Sequence, residues 1–380
     1  EADSKLVPTA HSIRTLIEFT SAISPKGNLL PNYADLGILI ALTNQLTTWG
    51  AISEGMRMGI SDPEMGLLSS GRIGTDKNFY SEVISPFAYS RSKGLISNYI
   101  DNFNEKYVHK YKTDNEQDDE TRELDAAFED EFGITLTEIA EISGALIDYG
   151  FSRVEACSII SKEEIFNILL SKLPTRCKQR IEKGLEMMTL LQRKGIGVPP
   201  AGYTAQDIFP WRYGRNISYL RRPLAYIENG DRGGSFLFGY RHIKAFYDNL
   251  IFLIFSGKIP ESASEKMSAF IGKILGEKGT PYRNEVAEWL KNNTTFEVIP
   301  YEVKIKAGGH IIADKDYGDV DVMAIDHSHK IIYSLECKNI VGARNIHEMK
   351  VELDLYLGRE GKKEKAKIIK HVNRDIFLKA

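Results

Sequence analysis

Paired cysteines are missing from this sequence. Its 380 residues include three, Cys157, Cys177 and Cys337, and no two stand close enough for a C-x-x-C zinc ribbon or thioredoxin-like pair. So sparse and odd a set suits a reducing compartment. Long apolar runs are missing as well. The longest cover residues 36–42 and 250–255, far short of the roughly 20 residues that a bilayer-spanning helix needs. No basic segment followed by an apolar stretch opens the chain, so no signal peptide is expected. The first residue is Glu1 rather than Met, as expected of a processed chain or an excised fragment. No repeat of solenoid period is present. Neither sign of charge dominates: the formal net charge is -3. The chain as a whole is therefore not marked as a nucleic-acid binder, and any such role must come from a local basic stripe. Together these absences predict a cytoplasmic protein without a membrane partner.

The chain does have the makings of ordinary globular domains. Hydrophobic residues make up 42% and charged residues 27%, and the length suits two or three domains. The pattern divides into a helical region over 1–112, a mainly helical region over 113–275 and an α/β domain over 276–380. Ile13, Leu16, Ile17 and Phe19 form a helical stripe, and 36–49 forms another. Residues 55–76, rich in Gly, Ser and Met, read as a loop or broken helix. Residues 112–131 are a charge run, read as a solvated linker or the exposed start of a helix. Thr135 then caps an amphipathic helix, residues 154–160 suit a short strand or turn, and 163–173 are again helical.

Residues 171–222 are basic, with aromatics interleaved. Arg212, Arg215, Arg221 and Arg222 lie among Phe209, Trp211, Tyr213 and Tyr219. Guanidinium groups beside aromatic faces can hold phosphates and stack bases, so these four arginines are candidate nucleic-acid contacts. The other reading is a basic face paired with the acidic 112–131 segment.

The chemistry concentrates after residue 276. Thr280 and Pro281 suit an N-cap and first turn, with Val286, Trp289 and Leu290 facing a core and Glu285 at its edge. A strand is expected over 296–305, with Pro300 marking an edge or bulge. Two β-prone segments follow, 318–325 and 331–338, joined by the polar run Asp326-His327-Ser328-His329-Lys330. A four-residue loop over 327–330 pairs Asp326 with Ile331. That register sets Asp321 opposite Glu336 and Asp319 opposite Lys338. Side chains alternate along a strand, so these four share one face while Val320, Val322, Leu335 and Cys337 point to a core. Directly opposed carboxylates repel. Asp321 and Glu336 therefore call for a cation between them, and Lys338 stands too far along its strand to serve both. Magnesium fits, because it takes one or two carboxylates plus phosphate oxygens and water. His327 and His329 sit in the turn and are expected to be exposed rather than metal-bound.

This pattern of acidic strand, polar turn and strand ending Glu336-Cys337-Lys338 resembles the signature of PD-(D/E)xK, restriction-endonuclease-like nucleases. The resemblance covers roughly residues 278–357. It implies a C-terminal domain with a central mixed sheet flanked by helices, below a mainly helical N-terminal region. It implies Asp321 and Glu336 as metal ligands, Lys338 as the residue orienting the attacking water, and Glu285 as the helix carboxylate that adds or orients a ligand. Asp319 is accessory. The implied cofactor is Mg2+, for which Mn2+ can substitute, and the implied substrate is nucleic acid, DNA first. A departure stands at position 320, where Val320 replaces the motif's proline. Residues 342–357 are expected to form a helix burying Ile346, Met349, Leu353 and Leu357. The basic tail, including Lys370 and Arg374, is a candidate for backbone phosphate contacts.

The expected function is a divalent-metal-dependent endonuclease, in the kind of setting served by bacterial restriction, repair or phage defence. It would act as a homodimer or in a larger complex. The competing expectation is a catalytically inactive nuclease-like fold that binds nucleic acid or protein.

Overall fold

The computed structural model describes residues 2–23, 29–76, 78–86, 119–212, 215–228, 234–259, 264–338, 342–343, 345–358 and 366–379. The chain forms two compact units, Glu1–Phe270 and Ile271–Ala380.

The first unit is mainly helical. Helices α1 (Ala2–Ala22) and α2 (Tyr33–Arg57) come first. Asn32 starts α2 with a capping box, its side chain accepting from the Asp35 N–H while Asp35 accepts from the Asn32 N–H. The stretch read as a loop over 55–76 is more ordered than expected: α2 runs on to Arg57, and β1 (Met65–Leu67) and β2 (Ile73–Thr75) form an antiparallel hairpin. Then come α3 (Asp119–Phe132), α4 (Leu136–Ser152), β3 (Ser158–Ser161), α5 (Lys162–Lys172), α6 (Lys178–Met188), β4 (Ala225–Glu228), β5 (Gly234–Phe238) and α7 (Tyr240–Phe255). Thr135 caps α4 as its sequence indicates, with Glu138 completing the box. Strands β3, β5 and β4 make an antiparallel sheet in that order. Phe128, Ile139, Leu146, Ile165, Leu169 and Ile181 are fully buried. The 250–255 run is buried in α7, which explains its apolarity without a membrane. A Cβ on Gly184 of α6 would stand 2.4 Å from Ile142 Cδ1 of α4, so the glycine permits a close helix approach.

Inside this unit the basic segment turns inward, which corrects the expectation of a nucleic-acid surface. Arg215 and Arg221 are buried. Arg215 holds Glu18 through Nη1 at 2.7 Å and Nη2 at 2.8 Å, and Arg212 donates through Nε to Glu54 at 2.6 Å. Arg221 donates to Asn216 Oδ1. Arg222 donates to the Glu186, Thr189 and Asn216 carbonyls and to the Tyr203 hydroxyl. Phe209 stacks on Trp211 at 4.7 Å, and a Cβ on Gly50 would stand 2.0 Å from Trp211. These rings and guanidinium groups are therefore engaged with their own unit; Tyr213 lies outside the described residues. The acidic run supplies only part of the pairing: Arg180 meets Glu129 at 2.8 Å, but the counter-charges of Arg212 and Arg215 come from α1 and α2. Residues 112–118 lie outside the described residues.

The dividing point between the units falls inside α8 (Glu265–Asn293). This corrects the expected helix start at Thr280: Pro281 lies in the interior of one long helix. Trp289 is 60% exposed rather than core-facing. Then follow β6 (Glu297–Ile299), β7 (Val303–Ile305), β8 (Gly318–Val320), β9 (Val322–Asp326), β10 (Ile331–Leu335), α9 (Ile346–Leu357) and α10 (Lys367–Lys379). The strand expected over 296–305 is two strands, broken at Pro300, whose missing N–H ends the ladder. The strand expected over 318–325 also divides, at Asp321. Among the described residues, the central mixed sheet takes the form of two small antiparallel ones, β10-β9-β6 and β7-β8. Val303, Ile305, Ala313, Val320 and Met323 make a core, with Phe377 of α10 packed against it. Helix α9 starts on the Asn345 cap and buries Ile346, but Leu353 and Leu357 are exposed, against expectation. The class is mixed, with a mainly helical first unit.

Candidate active site

The hairpin register is the one counted from the sequence. Asp326 pairs with Ile331, and the ladder runs to Val322 opposite Leu335. Asp326 secures the turn: Oδ1 accepts from the Ser328 and His329 N–H groups, and Oδ2 lies 2.7 Å from His329 Nδ1. Hydrogen bonds from Ser328, then His329, hold its carboxyl well below the usual carboxylate range. His327 and His329 are exposed, and His327 Nε2 lies 2.7 Å from Glu297.

The ladder stops one pair short of Asp321, and residues 336–338 depart from it. This departure folds the three key side chains together. Lys338 Nζ lies 2.6 Å from Glu336 Oε1 and 3.6 Å from Asp321 Oδ2. Lys338 thus serves both carboxylates, contrary to the distance expected for an unbroken strand. The Cys337 N–H donates to Asp321 Oδ2 at 2.6 Å, fixing the acid against the Glu336-Cys337-Lys338 backbone. On the core side Val320 and Val322 are buried, while Leu335 and Cys337 are half-buried.

Arg374 has a different place from the phosphate contact expected of it. It is buried, and its Nη2 donates to Glu336 Oε2 at 2.5 Å. Glu336 is thus held between an ammonium and a guanidinium. Burial pushes its carboxyl up, but the Lys338 hydrogen bond and the Arg374 charge prevail, leaving it below its ordinary value. Burial pulls the Lys338 ammonium down; Glu336 and Asp321 more than offset that, and the net direction is up. Lys338 is therefore a persistent donor. The Cys337 thiol is pushed up by burial and by Asp321. The Tyr356 hydroxyl is buried and has no hydrogen-bond partner among the described residues; burial pushes it up, with the Lys338 charge opposing. Lys370 is exposed on α10.

Glu285 is exposed on α8 and is not among the carboxylates that gather here. The helix instead contributes Arg283, whose Nη1 meets Glu302 Oε1 at 3.0 Å. Glu302, not anticipated from the sequence, joins Asp319 and Asp321: one carboxylate oxygen from each lies within 4.8 Å of the others. Antiparallel pairing of Val303 with Val320 puts Glu302 one step from Asp321. That register was hidden because β7 and β8 are joined by residues 306–317, with no short turn to count from. Three hard oxygen donors at that spacing fit a divalent ion of the magnesium type. Glu336 is not one of the three; its Oε1 meets Lys338 and its Oε2 meets Arg374.

A family model described as "Upx-like: Anti-phage protein Upx-like" matches residues 2–380. The chain belongs to this family of anti-phage proteins. No curated protein matches this Upx-like chain, and no solved structure does. The restriction-endonuclease-like reading of its second unit therefore rests on the residues of the site.

Proposed function

We propose that this Upx-like protein serves phage defence as a divalent-metal-dependent nuclease that hydrolyses phosphodiester bonds in DNA. The observation that carries the reading is the gathering of Asp321, Glu336 and Lys338 at the open end of the β9–β10 hairpin. Asp321, Asp319 and Glu302 would hold the ion, with Glu336 as a further ligand. A bound divalent ion supplies charge neutralisation at the phosphate and lowers the pKa of water.

The chain's own residues supply the rest. Lys338 keeps its proton and donates to charge that develops on oxygen at the reacting phosphate. Arg374 keeps Glu336 ionised and fixed in place. The Cys337 N–H orients Asp321, leaving Oδ1 for a ligand.

The test is degradation of plasmid DNA, and of single-stranded DNA and RNA, with and without magnesium. Wild type should cleave DNA only with the metal, and Asp321→Ala and Lys338→Ala should lose at least about a hundredfold of the rate. Cleavage by either variant at the wild-type rate would refute the assignment. Magnesium binding without cleavage of any substrate would favour a nuclease-like binding module, a reading that the double engagement of Glu336 also suits.

A further inference from the structure

The first unit contains a polar cavity between α1 and residues 210–212 and 215–220. His11, Arg14, Thr15, Arg215, Ser218 and Tyr219 are among its walls. Positive charge outnumbers negative charge in it. Glu18, itself buried, is fully engaged: Oε1 accepts from Arg193 Nη2 at 2.6 Å and Arg215 Nη1 at 2.7 Å, and Oε2 accepts from Arg215 Nη2 at 2.8 Å and the Tyr219 N–H at 3.2 Å. Arg212, also in the wall, is occupied by Glu54 and Gln206. Arg14 has no ion-pair partner among the described residues. Its charged neighbourhood includes His11 and His242, and burial, followed by the Arg14 charge, lowers the basicity of His11. Arg14, Arg193 and Arg215 thus set three guanidinium groups against the one carboxylate of Glu18.

A second observation points the same way. Ser218 is 9% exposed, lines the cavity, and its hydroxyl has no hydrogen-bond partner among the described residues. Buried polar groups are nearly always paired, and a buried surplus of charge is costly until a counter-charge arrives. What complements a half-buried guanidinium and a vacant hydroxyl is an oxyanion. Guanidinium forks match phosphate oxygens two at a time.

We propose that this cavity binds the phosphate group of a small anionic ligand, with Arg14 and Ser218 as direct donors and Arg215 as supporting charge. The site is independent of the nuclease reading, since all its residues lie in the first unit.

The experiment is calorimetric titration of the full chain with inorganic phosphate at constant ionic strength, repeated with Arg14→Gln and Ser218→Ala. One saturable site per chain is expected, at least about tenfold weaker in Arg14→Gln and a few-fold weaker in Ser218→Ala. Adenosine 5′-monophosphate in a parallel arm separates the sources. Tighter binding than phosphate identifies an ester ligand, and equal or weaker binding identifies the free ion; either supports the site. Arg14→Lys keeps the charge without the fork, so it should weaken binding and provides a reading should Arg14→Gln fail to fold. No saturable binding of either ligand, or affinity unchanged in the Arg14 variants, overturns the proposal.

Discussion

Glu18 and Lys338 show how single side chains set the character of their units. Glu18 accepts from two buried guanidinium groups and a backbone N–H at once. Replacing it with Gln keeps the shape but strands two charges, so Glu18→Gln should cost roughly 3–5 kcal/mol. Urea denaturation followed by circular dichroism measures it; a loss below about 1 kcal/mol would show that the cluster is not a stabilising centre. At Lys338 the same physics joins residues of two segments, since one ammonium lies within reach of two carboxylates. The residues of this site were partly legible. Asp321, Glu336 and Lys338 follow from period-two alternation and a short turn that fixes the register. Glu302, Arg283 and Arg374 were not, because they approach through long connections or from helices, where no count along the chain gives the partner. The basic segment misled for a related reason: sequence displays charge but not the buried acid, nearly 200 positions away, that claims it.

Among the elements, α8 is the one whose local sequence and final form disagree most. Pro281 suits a first turn, yet it stands in the interior of a 29-residue helix. An interior proline forfeits one backbone hydrogen bond and crowds the preceding turn, at about 3 kcal/mol. Pro281→Ala should therefore raise stability by up to about that amount, visible as a higher urea midpoint. A lower midpoint would show that the helix does not continue through this position. Elsewhere local signals were faithful: the Thr135 capping box starts α4 where expected, and the Asp326-centred turn sets β9 against β10. The split of the β8–β9 segment was not visible, because both halves are equally β-prone and only tertiary pairing decides that they change partners at Asp321.

Across the whole molecule, His242 and Glu138 are two of the groups that shape the response to acid. Burial lowers the His242 imidazole from 6.5 to about 4, against the pull of its bond to the Tyr219 carbonyl. Burial raises Glu138, but hydrogen bonds from Arg180 and Thr135 take it down from 4.5 to about 2. Both folded values lie below the unfolded ones, so both contributions are complete at neutral pH and shrink as pH falls. His242 acts between about 6.5 and 4, and Glu138 between about 4.5 and 2. Stability against urea should fall on acidification through both windows, and His242→Gln should reduce the loss in the upper one, to which His11, lowered in the same direction, also contributes; a wild-type slope in that variant would contradict the assignment. A last consequence concerns length. The chain on either side of Asp321 is indexed to two different sheets, β7-β8 before it and β10-β9-β6 after it. One extra residue there would turn Val322 and Ala324 outward while β8 stayed seated. The spacing from Gly318 to Asp326 is thus rigid, and neither an insertion nor a deletion fits within it.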